Sequence, residues 1–154
     1  MSADGAAADD LAVKHDPDRP STDSDIQLEG IAVGDAGNTF AVTLRASTSG
    51  RTVGALTLVV QSGGFGLTGE HLSWAAVTRR GWAHLRGTGR LQDGSTVPFR
   101  CDVFSAVAID GTGPDQISLR VYPSGSDPDR DSPASKLAGS MPNGTVRLGK
   151  SAGS

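Results

Sequence analysis

The chain has 154 residues, enough for one domain with a hydrophobic core and short tails. The formal net charge is only −3, which argues against a nucleic-acid-binding protein, and no stretch approaches the roughly 20 apolar residues of a membrane-spanning helix. One cysteine excludes an intrachain disulfide, and three histidines without metal-ligand spacing argue against a zinc site.

The first 25 residues differ in composition from the remainder. They carry seven aspartates against Lys14 and Arg19, with no aromatic residue and almost no large apolar one. Such a segment cannot bury enough surface to offset the entropy of ordering it. Residues 1–25 are therefore predicted to form a disordered acidic leader. They have no basic start and no apolar segment, so they are not a signal peptide as written.

Alternation of apolar and polar residues dominates from residue 26 onward. Strands are predicted in "NTFAVTLRA", "VGALTLVVQ", "WAHLRGTGRL", "VPFRCDVFSAVAI", "QISLRVY" and "GTVRLG", with a further one around residues 72–77. The segment "SPASKLAGS" is expected to give at most a helical turn. No sustained helical periodicity is present.

Turn signals separate these segments, and they include Asp93-Gly94 and Asp110-Gly111. Asp-Gly between two alternating runs favours a hairpin, because these turns need positive φ. Seven or eight strands with one apolar face each must bury that face. We therefore predict an all-β, antiparallel β-sandwich or partly closed barrel over residues 26–150, followed by a flexible tail at 151–154.

A glycine motif, Gly64-x-Gly66-x-x-Gly69, follows the apolar run that ends near Val60. A dinucleotide-binding turn would need a helix directly after the glycines, to place its N-terminus at the pyrophosphate. The residues that follow show no helical pattern. We interpret the motif as a turn between two strands and predict no nucleotide cofactor.

The residues that could carry catalysis do not form a recognisable set. Cys101 falls in register with the apolar residues of its strand, as expected of a small buried hydrophobe rather than a nucleophile. His71 and His84 are the histidines of the domain, and neither has a partner at a diagnostic spacing. We predict no catalytic residues.

Two other features suggest binding. Asp127, Asp129 and Asp131 lie at the alternate spacing found in calcium loops, although the rest of an EF-hand is missing and the same residues suit a polar surface turn. Trp82, His84 and Tyr122 fall on the polar side of their strands. Trp82 and Tyr122 are either exposed, where they could form a platform for a sugar ring, or packed on a second apolar layer. The segments 62–70 and 124–143 are predicted to be the long loops that accompany such a site.

The stretch from Thr39 to Lys150 resembles a β-rich module known as the post-COAP-1 domain, found at the C-terminal ends of secreted actinobacterial proteins. The resemblance rests on "FAVTL", "GALTLVV", "GWAHLRGTG", "GSTVPFRCDVF", "DGTGPDQISLRVY" and "NGTVRLGK". It implies an accessory sandwich domain, attached to other modules, in an extracellular setting. It supplies no functional residues, and the acidic leader and missing export signal depart from it.

Together these observations predict a non-catalytic accessory or structural module of a secreted or cell-surface protein. The alternative is a carbohydrate- or ligand-binding domain that uses the two loops and the exposed aromatic residues. The candidate partners are a glycan or another protein domain, without nucleic acid or membrane insertion. Calcium is the one candidate cofactor.

Overall fold

The structure, a computed structural model, describes residues 24–34, 37–49 and 52–149. Residues 1–23 of the predicted leader and the predicted tail lie outside the described residues, whereas Ser24 and Asp25 belong to the first strand. No helix in the described ranges is long and apolar enough to cross a membrane.

Nine strands lie within the described residues, and the prediction of an antiparallel all-β domain is confirmed. They are β1 (Ser24–Val33), β2 (Thr39–Ser49), β3 (Thr52–Ser62), β4 (Phe65–Val77), β5 (Trp82–Leu91), β6 (Thr96–Phe104), β7 (Asp115–Val121), β8 (Ser135–Met141) and β9 (Arg147–Gly149). The predicted strand "VPFRCDVFSAVAI" ends early, because β6 stops at Phe104 and a 3₁₀ turn at Val107–Ile109 follows it.

The strands form a closed barrel, because β1 to β7 each pair with the next strand in sequence and β1 also pairs with β8. β1 pairs with β2 along its whole length on one side. On its other side it meets β8 at the pair Val33–Ser140 and β9 at Asp25–Gln27. All pairings are antiparallel, so eight strands wind up and down around the barrel and the short β9 adds a ninth.

Apolar side chains fill the barrel interior. The alternation expected from the sequence places one face of every long strand inside, and the two largest interior side chains are Phe40 and Phe99. β5 and β6 illustrate the pattern, since Leu85 and Cys101 face each other across the ladder and both are fully buried. The polar residues between them therefore project outward from the barrel wall.

Two segments expected to be loops or turns are strands. Gly63 and Gly64 form a tight turn, so most of the predicted loop 62–70 belongs to β4. The predicted loop 124–143 contains β8, which pairs with β7 over seven residues. Both predictions were wrong because the patterns there are diluted by glycine and small residues, whereas the ladder pairing with a neighbouring strand overrides weak local propensity.

A buried carboxylate closes one end of the barrel. Asp115, at the start of β7, is fully buried and accepts hydrogen bonds from the backbone N–H groups of Ala106 (2.9 Å) and Val146 (2.7 Å). Ser105 donates its hydroxyl to the carbonyl of Val146 at 2.8 Å. These bonds join the segment after β6 to the segment before β9.

Candidate functional site

The barrel separates the three predicted aromatic-platform residues. Trp82 and His84 both project outward from β5, as expected. Tyr122 is only 2% exposed, so the expectation that it shares an exposed face with them is wrong. β7 ends at Val121, and the N–H of Tyr122 bonds to the carbonyl of Pro98, which interrupts the alternation on which the expectation rested.

The register of β5, β6, β7 and β8 aligns their outward side chains in three rows, which we call the β5–β8 face. Neighbouring strands lie about 4.8 Å apart and successive rows about 7 Å apart. The first row is Trp82, Phe104, Gln116 and Ser140; the second is His84, Asp102, Ser118 and Ala138; the third is Arg86, Arg100, Arg120 and Lys136.

The third row places four cations directly beside one another. Arg100 and Arg120 are partly buried, and Lys136 is exposed. Among the described residues, none of these three makes an ion pair or side-chain hydrogen bond. Like charges directly opposite each other on a sheet are destabilising, so the row carries a repulsion that a bound anion would relieve.

Arg86 is the member of the row that has an acidic partner. Its Nη2 lies 2.9 Å from the Oδ1 of Asp129, which belongs to the loop between β7 and β8. Its guanidinium also lies over the ring of Trp74 on β4, at 5.5 Å from the centroid. Its Nε is buried without a hydrogen-bond partner in the described part of the chain. The face thus already accommodates one carboxylate at its edge.

His84 and Asp102 form a close pair in the second row. The Nδ1 of His84 donates to the Oδ1 of Asp102 at 2.7 Å, which fixes the orientation of the imidazole. Ser118 follows on the far side of Asp102, with its backbone roughly 10 Å from that of His84. A serine nucleophile must contact the histidine ring, so this order of residues does not build a hydrolytic triad.

Aromatic rings and small residues form a shallow cleft at the first two rows. The rings of Trp82 and His84 are parallel within 6°, with centroids 6.2 Å apart, and Phe104 packs against Trp82 at 5.1 Å. Trp82 walls a cleft of about 210 Å³ whose other lining residues are Gln116, Ile117, Ser118, Ala138, Gly139 and Ser140. The Oγ of Ser118 is buried there without a hydrogen-bond partner among the described residues.

The three aspartates of the predicted calcium loop do not converge. Asp131 accepts a hydrogen bond from the backbone of Asp127, Asp127 accepts one from the backbone of Asp129, and Asp129 binds Arg86. No group of three acidic, histidine or cysteine side chains within the described ranges could hold a metal ion. In this arrangement the carboxylates of Asp127 and Asp131 accept backbone hydrogen bonds within the turn.

Cys101 lies in the core, as its register predicts. It is fully buried between Leu85 and Leu119, and burial raises the pKa of its thiol, with a further contribution from the negative charge of Asp102. A thiol that resists ionisation is a poor nucleophile.

The glycine motif is a turn and the beginning of a strand. Gly63 has a φ of 53°, and β4 follows directly where a dinucleotide-binding fold would place a helix. Gly66 lines a second cleft of about 270 Å³, in which Glu70 pairs with Arg90 at 3.2 Å. Charge there is neutralised within the protein.

Sequence analysis missed the row of cations. Arg86 and Arg120 occupy polar positions in alternating segments, but alternation cannot show that they stand in one row with Arg100 and Lys136. That depends on the register of three ladders and on β8 being a strand.

Comparisons of the chain with protein-family models, with curated proteins and with solved structures find no match.

Proposed function

We propose that this protein is a non-catalytic binding module that holds an anionic partner on its β5–β8 face. The observation that carries the proposal is the third row, in which two partly buried arginines and a lysine stand without acidic partners among the described residues. As the sequence resemblance implies, such a module would serve as an accessory part of a secreted or cell-surface protein.

Arginine predominates in the row, which favours recognition of oxyanions. A guanidinium presents a planar fork of donors that matches a carboxylate, sulfate or phosphate, whereas an ammonium acts as a point charge. Partial burial strengthens the attraction, since screening by water and salt is weaker there than at a fully exposed site.

The remaining candidate groups support binding rather than catalysis. Cys101 is sealed in the core, and Ser118 stands on the wrong side of Asp102 to be activated by His84. The His84–Asp102 pair instead contributes a fixed imidazole beside the cations.

Affinity electrophoresis in gels containing dextran sulfate tests this function, with uncharged dextran as the neutral comparison. We expect the protein to be retarded by dextran sulfate at low salt and released as the ionic strength rises. The double variant Arg100→Gln/Arg120→Gln should lose at least tenfold in apparent affinity.

Arg45→Gln/Arg147→Gln is the matched control, because both residues are exposed on β2 and β9 and the change in net charge is the same. Equal losses in the two double variants would mean that net charge, not the row, governs binding. Absence of retardation of the unmodified protein would overturn the proposal.

A further inference from the structure

We infer that the anionic partner is a carboxylate-bearing sugar chain, with one pyranose ring in the Trp82 cleft and its carboxylate on Arg100 and Arg120. This inference rests on the proposed function and adds the class of ligand. It depends on the position of the cleft relative to the cations.

The cleft and the row are adjacent on one strand. Ser118 lines the cleft, and Arg120 lies two residues further along β7 on the same face, about 7 Å away. Arg100 is its cross-strand neighbour on β6. A ligand seated in the cleft therefore needs its acid group directly on the ring to reach these guanidinium groups, as a uronic acid has.

The walls of the cleft suit a sugar ring. Trp82 offers an apolar aromatic surface, held in place by the ring of His84 on one side and by Phe104. The lining also includes Gln116 and Ser140, which are exposed and whose amide and hydroxyl groups can exchange hydrogen bonds with sugar hydroxyls.

The volume of the cleft limits the size of the ligand group that it can hold. Its volume of about 210 Å³ is below the roughly 300–1,000 Å³ of pockets for drug-sized ligands, so it accommodates about one ring. The row of cations continues from β5 to β8, over three strand spacings or about 14 Å. A linear polymer with an acid group on each ring can thus place one ring in the cleft and further carboxylates along the row.

An acidic peptide is the competing occupant, because the row alone would hold side-chain carboxylates. An acidic peptide does not account for the aromatic wall beside the row. Phosphate groups also bind arginine, but a phosphate on the row would leave the aromatic wall of the cleft unused.

Two tryptophans allow a test that reports position as well as affinity. Trp74→Phe leaves Trp82 as the one fluorescent indole, and Trp82→Phe leaves Trp74. We expect oligogalacturonate to change the emission of the Trp74→Phe protein at least threefold more strongly than that of the Trp82→Phe protein. The reverse pattern would overturn the inference.

Calorimetry with matched polymers separates sugar from peptide. Oligogalacturonate should bind the unmodified protein at least tenfold more tightly than poly-L-glutamate of equal charge. Trp82→Leu and Ser140→Ala should each weaken only the sugar ligand, whereas Trp74→Leu should leave the preference intact. Equal affinity for the two polymers would overturn the inference in favour of an acidic peptide.

The two proposals fail in distinguishable ways. If dextran sulfate binding depends on Arg100 and Arg120 but oligogalacturonate gains nothing from Trp82, the anion-binding function stands and the sugar assignment falls. If neither polymer binds, both fall.

Discussion

Asp129 and Arg86 are joined by a 2.9 Å ion pair that brings the loop between β7 and β8 back across the barrel wall to β5, two strands away from β7. The loop is further held by the hydroxyl of Ser124, which donates to the carbonyl of Thr96 at the start of β6. The acidic loop therefore borders the row of cations and supplies it with one carboxylate. In effect, Asp129 competes with any anion that binds there.

Removal of this internal carboxylate should strengthen anion binding. Asp129→Asn leaves the guanidinium of Arg86 available to the ligand. Because exposed ion pairs contribute up to about 1 kcal/mol, we expect an affinity gain for dextran sulfate of about two- to fivefold. Titration by calorimetry at low salt measures it.

The control for this variant is Glu29→Gln, which makes the same change in charge on an exposed position of β1. If Glu29→Gln strengthened binding as much as Asp129→Asn, the effect would come from net charge. Weaker binding by Asp129→Asn would show that the carboxylate orders Arg86 for the ligand instead of competing with it.

The buried carboxylate of Asp115 should contribute strongly to stability. Asp115→Ala leaves the N–H groups of Ala106 and Val146 without their acceptor in a region closed to water. We expect a loss of at least about 2 kcal/mol in the free energy of unfolding, because each buried unpaired donor costs about 1–3 kcal/mol. Urea denaturation of this variant and of Gln116→Ala, an exposed neighbour on β7, provides the measurement. Similar losses in the two would contradict the role given to Asp115.

A close approach between β4 and β5 makes Gly87 sensitive to substitution. β4 contains two irregularities in its pairing with β5, and a Cβ at Gly87 would overlap the carbonyl oxygen of His71. Since backbone must move to admit the methyl group, Gly87→Ala should cost about 1–3 kcal/mol of stability. Gly113→Ala is the matched control, because a Cβ there meets nothing within 4 Å. Thermal unfolding that gave equal midpoints for the two variants would contradict this account.

The fold followed from the sequence wherever the apolar alternation was strong. β2, β5, β6 and β7 have clear two-residue periods, and each buries the face that its pattern indicated. β8 reads "SKLAGSM" and is made largely of small and polar residues, so its strand character comes from pairing with β7. Closure of the barrel could not be predicted from local sequence patterns either, because it depends on contacts between β1 and β8, which are distant in sequence.

Only part of the candidate site could be predicted from the sequence. Trp82 and His84 were placed on the outer face from strand phase alone, and the structure puts them together. Tyr122 was assigned by extending the phase of β7 one residue beyond its end, where the backbone turns toward β6. The cationic row required cross-strand register, which local sequence does not encode.

The amino-acid composition of the acidic leader predicts that it does not contribute to the stability of the domain. Residues 1–23 lie outside the described part of the chain, and they have no apolar periodicity that would dock them on the barrel. Their deletion should leave the thermal midpoint unchanged. A fall of more than a few degrees would show that the leader contributes contacts to the folded domain.

The thiol of Cys101 should make stability depend on alkaline pH. Burial raises its pKa in the folded protein, so the folded state keeps the proton while the unfolded chain releases it near pH 8.5. The stabilisation is therefore fully present below that pH and is lost as the pH rises above it, at up to about 1.4 kcal/mol per pH unit. Between pH 7 and 9.5 we expect the unmodified protein to lose about 1.4 kcal/mol more unfolding free energy than Cys101→Ala, which has no thiol to titrate. Urea titrations across this range measure the difference, and comparison of slopes removes the separate cost of the smaller side chain.

The burial of Cys101 should also make the native thiol slow to react with a disulfide reagent and the unfolded thiol fast to react in denaturant. Parallel pH slopes for the two proteins, together with rapid labelling of the native thiol, would place Cys101 in contact with solvent and contradict its position inside the barrel.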